Sequence, residues 1–214
     1  MSADSLRADA ARNRSQIVDA ALQVFSERGL DAPMDEIARK ADVGNATLYR
    51  RFPTRCELVA AVYEETLREV VAAVEAALAV DDPWRGFEGH IAHLCQMQAD
   101  NRALADLLTM IFRASPELQT LQQKALSGLT ALVDRAIASG DLRSDFRHED
   151  VVLILMANAG LVERTVDVLP QGWRRHLHFV LEGLRHNATE APRSSGPART
   201  GRAMRQLAVR RGLE

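Results

Sequence analysis

Apolar residues recur at intervals of three and four along most of the chain, which is the spacing of one face of an α-helix. Alternating apolar and polar runs beside Asn-Gly or Asp-Gly turns, the signals of strands and hairpins, do not occur in the sequence. The pattern therefore predicts an all-α fold of about nine helices. The predicted helices span residues 12–28, 34–41, 45–52, 55–80, 83–100, 102–113, 116–139, 148–168 and 172–186.

The stretch 34–55 predicts two short helices that are separated by a tight turn. Residues 42–44 interrupt the first helix, and Gly44 is the residue that we expect to adopt a backbone angle other residues resist. Asn45 is expected to cap the second helix. Three or four turn residues between two short helices are the signature of a helix-turn-helix, with Ile37 on the buried face of its first helix.

The second of these helices carries side chains that suit DNA. Leu48 and Phe52 lie one turn apart and are expected to point inward. The remaining surface carries Arg, Asn, Thr and Tyr, which bind guanine, adenine, the thymine methyl group and phosphate. Thr54 is expected to cap the next helix, whose free N–H groups would form a phosphate site beside Arg55. The predicted DNA contacts are Asn45, Ala46, Thr47, Tyr49, Arg50, Arg51 and Arg55.

A specific set of residues in this stretch carries a family resemblance. The set comprises Asp35-Glu36-Ile37-Ala38, Val43, Thr47-Leu48-Tyr49-Arg50-Arg51-Phe52, Glu57-Leu58 and an upstream Phe-x-x-x-Gly. It resembles the DNA-binding domain of the TetR family of one-component bacterial repressors. Two positions depart from the family pattern: Ala32-Pro33 stands where a Thr cap is common, and Cys56 replaces the usual charged residue. Arg55 keeps a cation where the family commonly has a phosphate-binding lysine.

The resemblance extends more loosely to the rest of the chain, through Gly140-Asp141-Leu142-Arg143 and Trp173-Arg174-Arg175. It implies a helix-turn-helix DNA-binding domain over 1–54, a helical ligand-binding and dimerisation domain over 55–188, and a basic tail over 189–214. It also implies a repressor that binds a palindromic operator as a dimer and is released by a small molecule. Two recognition helices in such a dimer would lie about one DNA turn, ~34 Å, apart.

The run 151–157 is apolar on every side of its predicted helix. A helix that is apolar all round must be covered all round, so we expect a second copy to cover the side that one chain leaves open. The small residues Ala157, Ala159 and Gly160 would permit close approach. With the last helix, this helix would form a four-helix, two-fold interface. The residues expected from the last helix are Leu177, Val180, Leu181 and Leu184.

Several side chains between 90 and 158 are expected to border a cavity for an unknown small-molecule effector. Such cavities have mostly apolar walls and a few polar groups. Asn158 is the most informative, since a buried amide needs partners, although an interhelical bond that fixes the dimer register explains it equally well. A metal site near Cys95 is a lesser hypothesis. The predicted ligand-binding residues are His90, His93, Met97, Met110, Phe112, Arg113 and Asn158.

The charge is unevenly distributed along the chain, although the net value is only −2. Residues 1–55 carry nine Lys or Arg against eight Asp or Glu, residues 56–190 carry 12 against 20, and residues 191–214 carry six against one. The acidic middle would repel DNA, so phosphate contacts are expected at the ends. Arg7, Arg12 and Arg14 would form a DNA-binding arm or a frayed tail, and the C-terminal segment is open to the same two interpretations.

Other classes of protein fit the sequence less well. Phosphate-binding glycine loops, Gly-x-Ser-x-Gly and His-Glu-x-x-His are absent, so we expect no enzyme and no cofactor. A ligand-independent architectural DNA-binding protein remains an alternative, and an all-α enzyme is a weaker one. The sequence lacks a membrane-length apolar run and a signal core, and it contains only two cysteines, which together predict a cytoplasmic protein. Oxidation of Cys56 is a minor hypothesis for sensing.

Overall fold

The computed structural model describes residues 3–101 and 116–185, with side chains from residue 12 onward. Within these ranges the chain forms eight helices and no strand, which confirms the all-α prediction. The predicted sixth helix, over 102–113, and the basic tail lie outside the described residues. The helices are α1 (Ala3–Arg28), α2 (Met34–Lys40), α3 (Asn45–Arg51), α4 (Arg55–Leu78), α5 (Pro83–Asp100), α6 (Pro116–Ala138), α7 (His148–Thr165) and α8 (Gly172–Leu184).

Helices α1–α3 form a head that carries the predicted helix-turn-helix. The buried stripe of α1, including Ile17, Val24 and Phe25, packs against α2 and the first part of α4. The helix begins at Ala3 rather than at residue 12, so the predicted N-terminal arm is part of α1. Gly29 ends α1 as predicted, with a φ of 80° that favours glycine.

The turn between α2 and α3 differs from the prediction in two details. Asp42 has a φ of 53°, and Gly44 has an ordinary φ of −70°. Asp tolerates the left-handed region because its short polar side chain forms local hydrogen bonds. Gly44 occupies the N-cap position, and Asn45 is the first residue of α3 rather than its cap.

Helices α4–α8 form the body, in which α4 packs along α6 and α5. Asp82 caps α5 by accepting a hydrogen bond from the Arg85 N–H at 3.0 Å. Helix α4 stops at Leu78 rather than at residue 80. Gly86 permits a close approach between α5 and α4, because a Cβ there would lie 2.6 Å from the carbonyl oxygen of Ala77. Helix α7 packs on α5, and α8 packs on both.

Candidate DNA-binding surface and ligand site

Helix α3 presents most of the predicted DNA contacts on one outer surface. The Tyr49 side chain is 49% exposed, and Arg50 and Arg51 are exposed beside it. Within the described part of the chain, these three side chains form no hydrogen bond or ion pair. Their donors and charges are therefore available to a partner. The other predicted contacts on α3 are Asn45 and Ala46, which are exposed, and Thr47, which is half-buried.

The opposite side of α3 is fixed to the head by apolar packing. Leu48 and Phe52 are buried, as their spacing predicted. The guanidinium of Arg14 lies 5.6 Å from the centroid of the Phe52 ring, and its Nη2 lies 3.9 Å from a carboxylate oxygen of Glu64 on α4. Arg14 therefore joins α1, the end of α3 and α4, which was not predicted because the three segments are distant in sequence.

Arg55 lies in a different environment from the cations of α3. Its Nη1 donates to the carbonyl oxygens of Leu30 at 2.9 Å and Ala32 at 2.5 Å, and the side chain is half-buried. Part of the guanidinium thus holds the loop between α1 and α2 against the start of α4. The cap at Thr54 is confirmed, since its hydroxyl oxygen accepts from the N–H of Glu57 at 3.2 Å.

Two further cations lie near this surface. Arg39 and Lys40 occupy the last turn of α2, are exposed, and form no ion pair within the described residues. Neither residue is among the DNA contacts predicted from the sequence. Their position beside the turn of a helix-turn-helix is the sequence signal that could have identified them as DNA contacts.

The body contains a buried polar cluster between α5 and α7. The Nδ2 of Asn158 donates to the Oε1 of Gln98 at 3.0 Å and to the carbonyl oxygen of Cys95 at 3.2 Å. These bonds lie within one chain, so they provide partners for Asn158 without a second subunit. Gln98 is not among the ligand residues predicted from the sequence, although it lies one turn after the buried Leu94 on the apolar face of α5.

The predicted ligand residues divide into three groups. His90 and Met97 are buried in the body with Asn158. His93 lies near His90 but is exposed, and its Nε2 lies 3.9 Å from a carboxylate oxygen of Glu69 on α4, so its side chain lies outside the buried group. Three residues correspond to about 300° of rotation around the helix, which is about 60° in the opposite direction. This displacement from His90 brings His93 to the solvent edge of the helix. The remaining predicted ligand residues, Met110, Phe112 and Arg113, lie outside the described residues.

Burial controls the ionisation of this region. It lowers the pKa of His90 from 6.5 to about 4, with a smaller contribution from the nearby His93, so the imidazole is neutral at pH 7. Burial also raises the pKa of the Cys95 thiol to about 12. Over residues 3–101 and 116–185, no three His, Cys, Asp or Glu side chains are grouped as metal ligands would be. Cys56 is exposed, whereas Cys95 is buried.

Helices α7 and α8 leave an apolar surface uncovered. The exposed side chains include Leu153 at 44%, Met156 at 37% and Phe179 at 56%. Leu177 and Leu181 are buried within their own chain, so the expectation that they face a second copy is wrong. None of the described helices has the length and hydropathy needed to cross a membrane.

The body and the head are also joined at the end of α5. The Nδ2 of Asn101 donates to the carbonyl oxygen of Leu22 on α1 at 3.4 Å. Asn101 lies one turn beyond Gln98, so the helix that carries the buried polar cluster ends in contact with the head.

Comparisons with known families agree with this architecture. Residues 17–62 match the family described as bacterial regulatory proteins, tetR family, and residues 82–186 match the C-terminal domain of SbtR-like transcriptional regulators. The chain is similar to a solved TetR transcriptional regulator from Streptomyces coelicolor, with 34% identity and a TM-score of 0.59 over 82% of this chain and 99% of that one.

Two further proteins illustrate the range of the likeness. The transcriptional repressor KstR from Mycolicibacterium smegmatis is 30% identical over 115 residues, which cover 52% of this chain and 56% of KstR. The regulator FadR from Bacillus subtilis, solved in complex with stearoyl-CoA, has a TM-score of 0.60 over 79% of this chain and 98% of that one. At 17% identity, FadR shows a similarity of fold alone.

Proposed function

Because the chain belongs to the TetR family of DNA-binding transcriptional regulators, we propose that it is a repressor that binds a palindromic operator as a homodimer. A small molecule bound in the body would release it from the operator. The observation that carries this proposal is the exposed surface of α3, where Tyr49, Arg50 and Arg51 have no partners within the described residues. Repression is supported by the named repressor among its relatives.

We assign DNA recognition to the exposed residues of α3, in a domain that comprises 1–54. Arg50 and Arg51 would contact bases or phosphate, and Tyr49 would donate its hydroxyl to phosphate. Asn45, Ala46 and Thr47 would approach the bases from the first turn of the same helix. Arg55 would add a phosphate contact only with the part of its guanidinium that Leu30 and Ala32 leave available.

The dimer would form through α7 and α8, in the body domain over 55–188. Leu153 and Met156 lie one turn apart on α7, and a Cβ built at Gly160, one turn farther, meets no atom within 4 Å. This open apolar strip suits an isologous interface, and α8 presents a further exposed apolar side chain at Phe179. The two-fold axis would place the two copies of α3 about one DNA turn, ~34 Å, apart.

Ligand binding would change the operator affinity through the helices that join body and head. Helix α4 contacts α1 in the head and α5 and α6 in the body, and α5 contacts the head at Asn101. A ligand that favours a different arrangement of these helices would change the spacing of the two α3 helices. Coupling of this kind is typically about 1–3 kcal/mol, or roughly 5- to 150-fold in affinity. A regulator of this type would work in the cytoplasm, where bacterial operator DNA lies.

The test is selection of bound duplexes from a random DNA pool by the full-length protein, followed by titration against salt. We expect an enriched palindrome with half-sites about one turn apart. The absence of an enriched motif, together with an affinity that falls steeply with salt, would favour an architectural DNA-binding protein instead. Failure to bind any duplex would overturn the proposed function.

The dimer requires a separate measurement, for which the chain supplies a matched control. Met156→Glu would bury a charge in the proposed interface, and we expect sedimentation to show a monomer and the operator affinity to fall. Leu126→Glu changes another exposed apolar residue, on α6, and should leave the dimer intact. A dimer that persists in the Met156→Glu protein would exclude this interface.

A further inference from the structure

Two buried carboxamides meet in the interior between α5 and α7. Gln98 is 0% exposed and Asn158 is 1% exposed. Only an NH2 group can donate to the carbonyl oxygen of Cys95, which fixes the orientation of the Asn158 amide. The same NH2 group donates to Gln98, so Gln98 must turn its oxygen toward Asn158. The orientations of both amides are thus determined by chemistry.

This arrangement satisfies only half of each amide. Among the described residues, the Nε2 of Gln98 and the Oδ1 of Asn158 have no hydrogen-bond partner. They lie on the two amides that are bonded to each other, so a donor and an acceptor are left close together. Buried polar groups in folded proteins are nearly always paired, and an exception calls for an unseen partner.

The surroundings limit what that partner is. The buried residues one turn away, Leu94 on α5 and Leu155 and Val162 on α7, are apolar. In the described part of the chain, no Asp, Glu, Lys or Arg is among the buried side chains. Burial keeps His90 neutral by lowering its pKa to about 4. Among the described residues an anion would therefore meet no counter-charge, and it would face the Asn158 oxygen, which repels it.

We propose that Gln98 and Asn158 bind the polar group of an uncharged effector that presents an acceptor beside a donor, as a carboxamide or lactam does. The carbonyl oxygen of the effector accepts from Gln98 Nε2, and its N–H donates to Asn158 Oδ1. The apolar remainder of the molecule packs against the aliphatic residues of α5 and α7. This assignment rests on the proposed function, because it names the class of ligand that acts in the body.

A purely structural role for the pair makes a different prediction about ligands. In either case, replacing both amides by leucine removes their mutual hydrogen bond together with two polar atoms that are unpaired among the described residues, so the melting temperature should not fall. If the amides only join α5 to α7, a neutral amide should not stabilise the wild-type protein. If they bind a ligand, a neutral amide should stabilise the wild type and not the variant Gln98→Leu/Asn158→Leu.

The experiment measures the melting temperature of the full-length protein with hexanamide, δ-valerolactam and hexanoate as probes. We expect both neutral amides to raise the melting temperature by about 3 °C or more near saturation, and hexanoate to leave it unchanged. The Gln98→Leu/Asn158→Leu protein should melt no lower than the wild type and should not respond to the amides. Gln96→Leu, an outward-facing glutamine on the same helix, is the control that keeps the response.

Three results would overturn the assignment. A larger response to hexanoate than to hexanamide would indicate a cation in the site, for which Arg113 is the candidate outside the described residues. No response of the wild type to either amide would remove the proposed class, and a response retained by the double variant would remove the two residues. Titration of the operator duplex in parallel tests the proposed function separately from the ligand class. If the amides raise the melting temperature but do not release the protein from the duplex, the ligand class stands and ligand-induced release from the operator is excluded.

Discussion

The head and the body of this protein hold their polar side chains in opposite ways. On α3, Tyr49, Arg50 and Arg51 project into solvent and have no partner within the described residues. Between α5 and α7, Gln98 and Asn158 are buried and bonded to each other, and each has one polar atom without a partner in the described part of the chain. The exposed surface of α3 therefore suits a large polar partner such as DNA, and the buried amides suit the polar group of a small ligand.

This difference determines how each region contributes to stability. An exposed side chain stays hydrated until DNA replaces the water, so its presence hardly affects the free energy of unfolding. A buried and unsatisfied amide destabilises the folded chain by about 1–3 kcal/mol until a ligand pairs with it. Substitutions of the exposed residues of α3 should therefore change DNA binding without changing stability, whereas substitutions of the buried amides should change both ligand binding and stability.

The largest expected effect is on DNA binding by the head. In the double variant Tyr49→Ala/Arg51→Ala, operator affinity should fall at least about 100-fold, because each lost contact contributes roughly 1–3 kcal/mol. The free energy of unfolding should change by less than about 0.5 kcal/mol. Duplex titration and urea unfolding measure the two quantities, and Arg68→Ala on α4 is the exposed control. Unchanged operator affinity in a folded dimer would contradict the assignment of α3.

The next effect concerns pH and the body. The pKa of His90 is lowered from 6.5 to about 4, so the unfolded chain takes up this proton first as the pH falls. The contribution of the neutral, buried His90 to the free energy of unfolding is fully present above about pH 6.5. It is lost as the pH falls toward 4, by at most about 3 kcal/mol. Urea unfolding of His90→Gln between pH 7.5 and 4.5 should show a shallower loss. The His93→Gln protein should keep most of the pH-dependent loss of stability, since His93 is the smaller cause of the lowered His90 pKa. If the free energy of unfolding fell equally with pH in the wild type and both variants, this role for His90 would be contradicted.

Arg55 provides an intermediate case within the head. Replacing it by alanine leaves the carbonyl oxygens of Leu30 and Ala32 without their donor, and we expect a loss of about 1–3 kcal/mol in stability. Operator affinity should fall as well, because the loop before α2 is no longer held. Thermal unfolding distinguishes this from Arg51→Ala, which should lower affinity alone. A fully stable Arg55→Ala protein would show that the contact does not position the loop.

The smallest expected effect lies where the two regions meet. Asn101→Ala removes the 3.4 Å bond to the Leu22 carbonyl oxygen, a contact expected to contribute about 1 kcal/mol. If α5 transmits the ligand signal, the ratio of operator affinities without and with hexanamide should fall about 5-fold while ligand affinity is retained. Ser127→Ala, an exposed change on α6, serves as the control. An unaltered ratio would leave α4 as the remaining connection.

Much of the fold follows from local sequence signals. The bounds of α5 were predicted to the residue, because Asp82 and Pro83 mark its start and its apolar spacing continues to residue 100. The inward positions Leu48 and Phe52 follow from a spacing of four. Helix ends without such signals were less accurate: α7 stops at Thr165 rather than at residue 168, and α8 stops at Leu184.

The candidate sites were only partly predictable, for a geometric reason. Spacing places a side chain on a helical face but does not say which distant segment covers that face. Leu177 was placed in the subunit interface because it is apolar at helical spacing, yet its own chain covers it. His93 was grouped with His90 for the same reason, and a modest rotation around α5 places it in solvent.

The sequence by itself determined the helices, the helix-turn-helix and the side chains that could read DNA, because periodicity, caps and turns act over a few residues. Only the tertiary structure decided which polar groups find partners. Gln98 and Asn158 are 60 positions apart, and Arg55 and Leu30 are 25 apart. Contacts at such separations depend on how whole helices pack, and packing is set by the combined burial of many apolar side chains rather than by any local pattern.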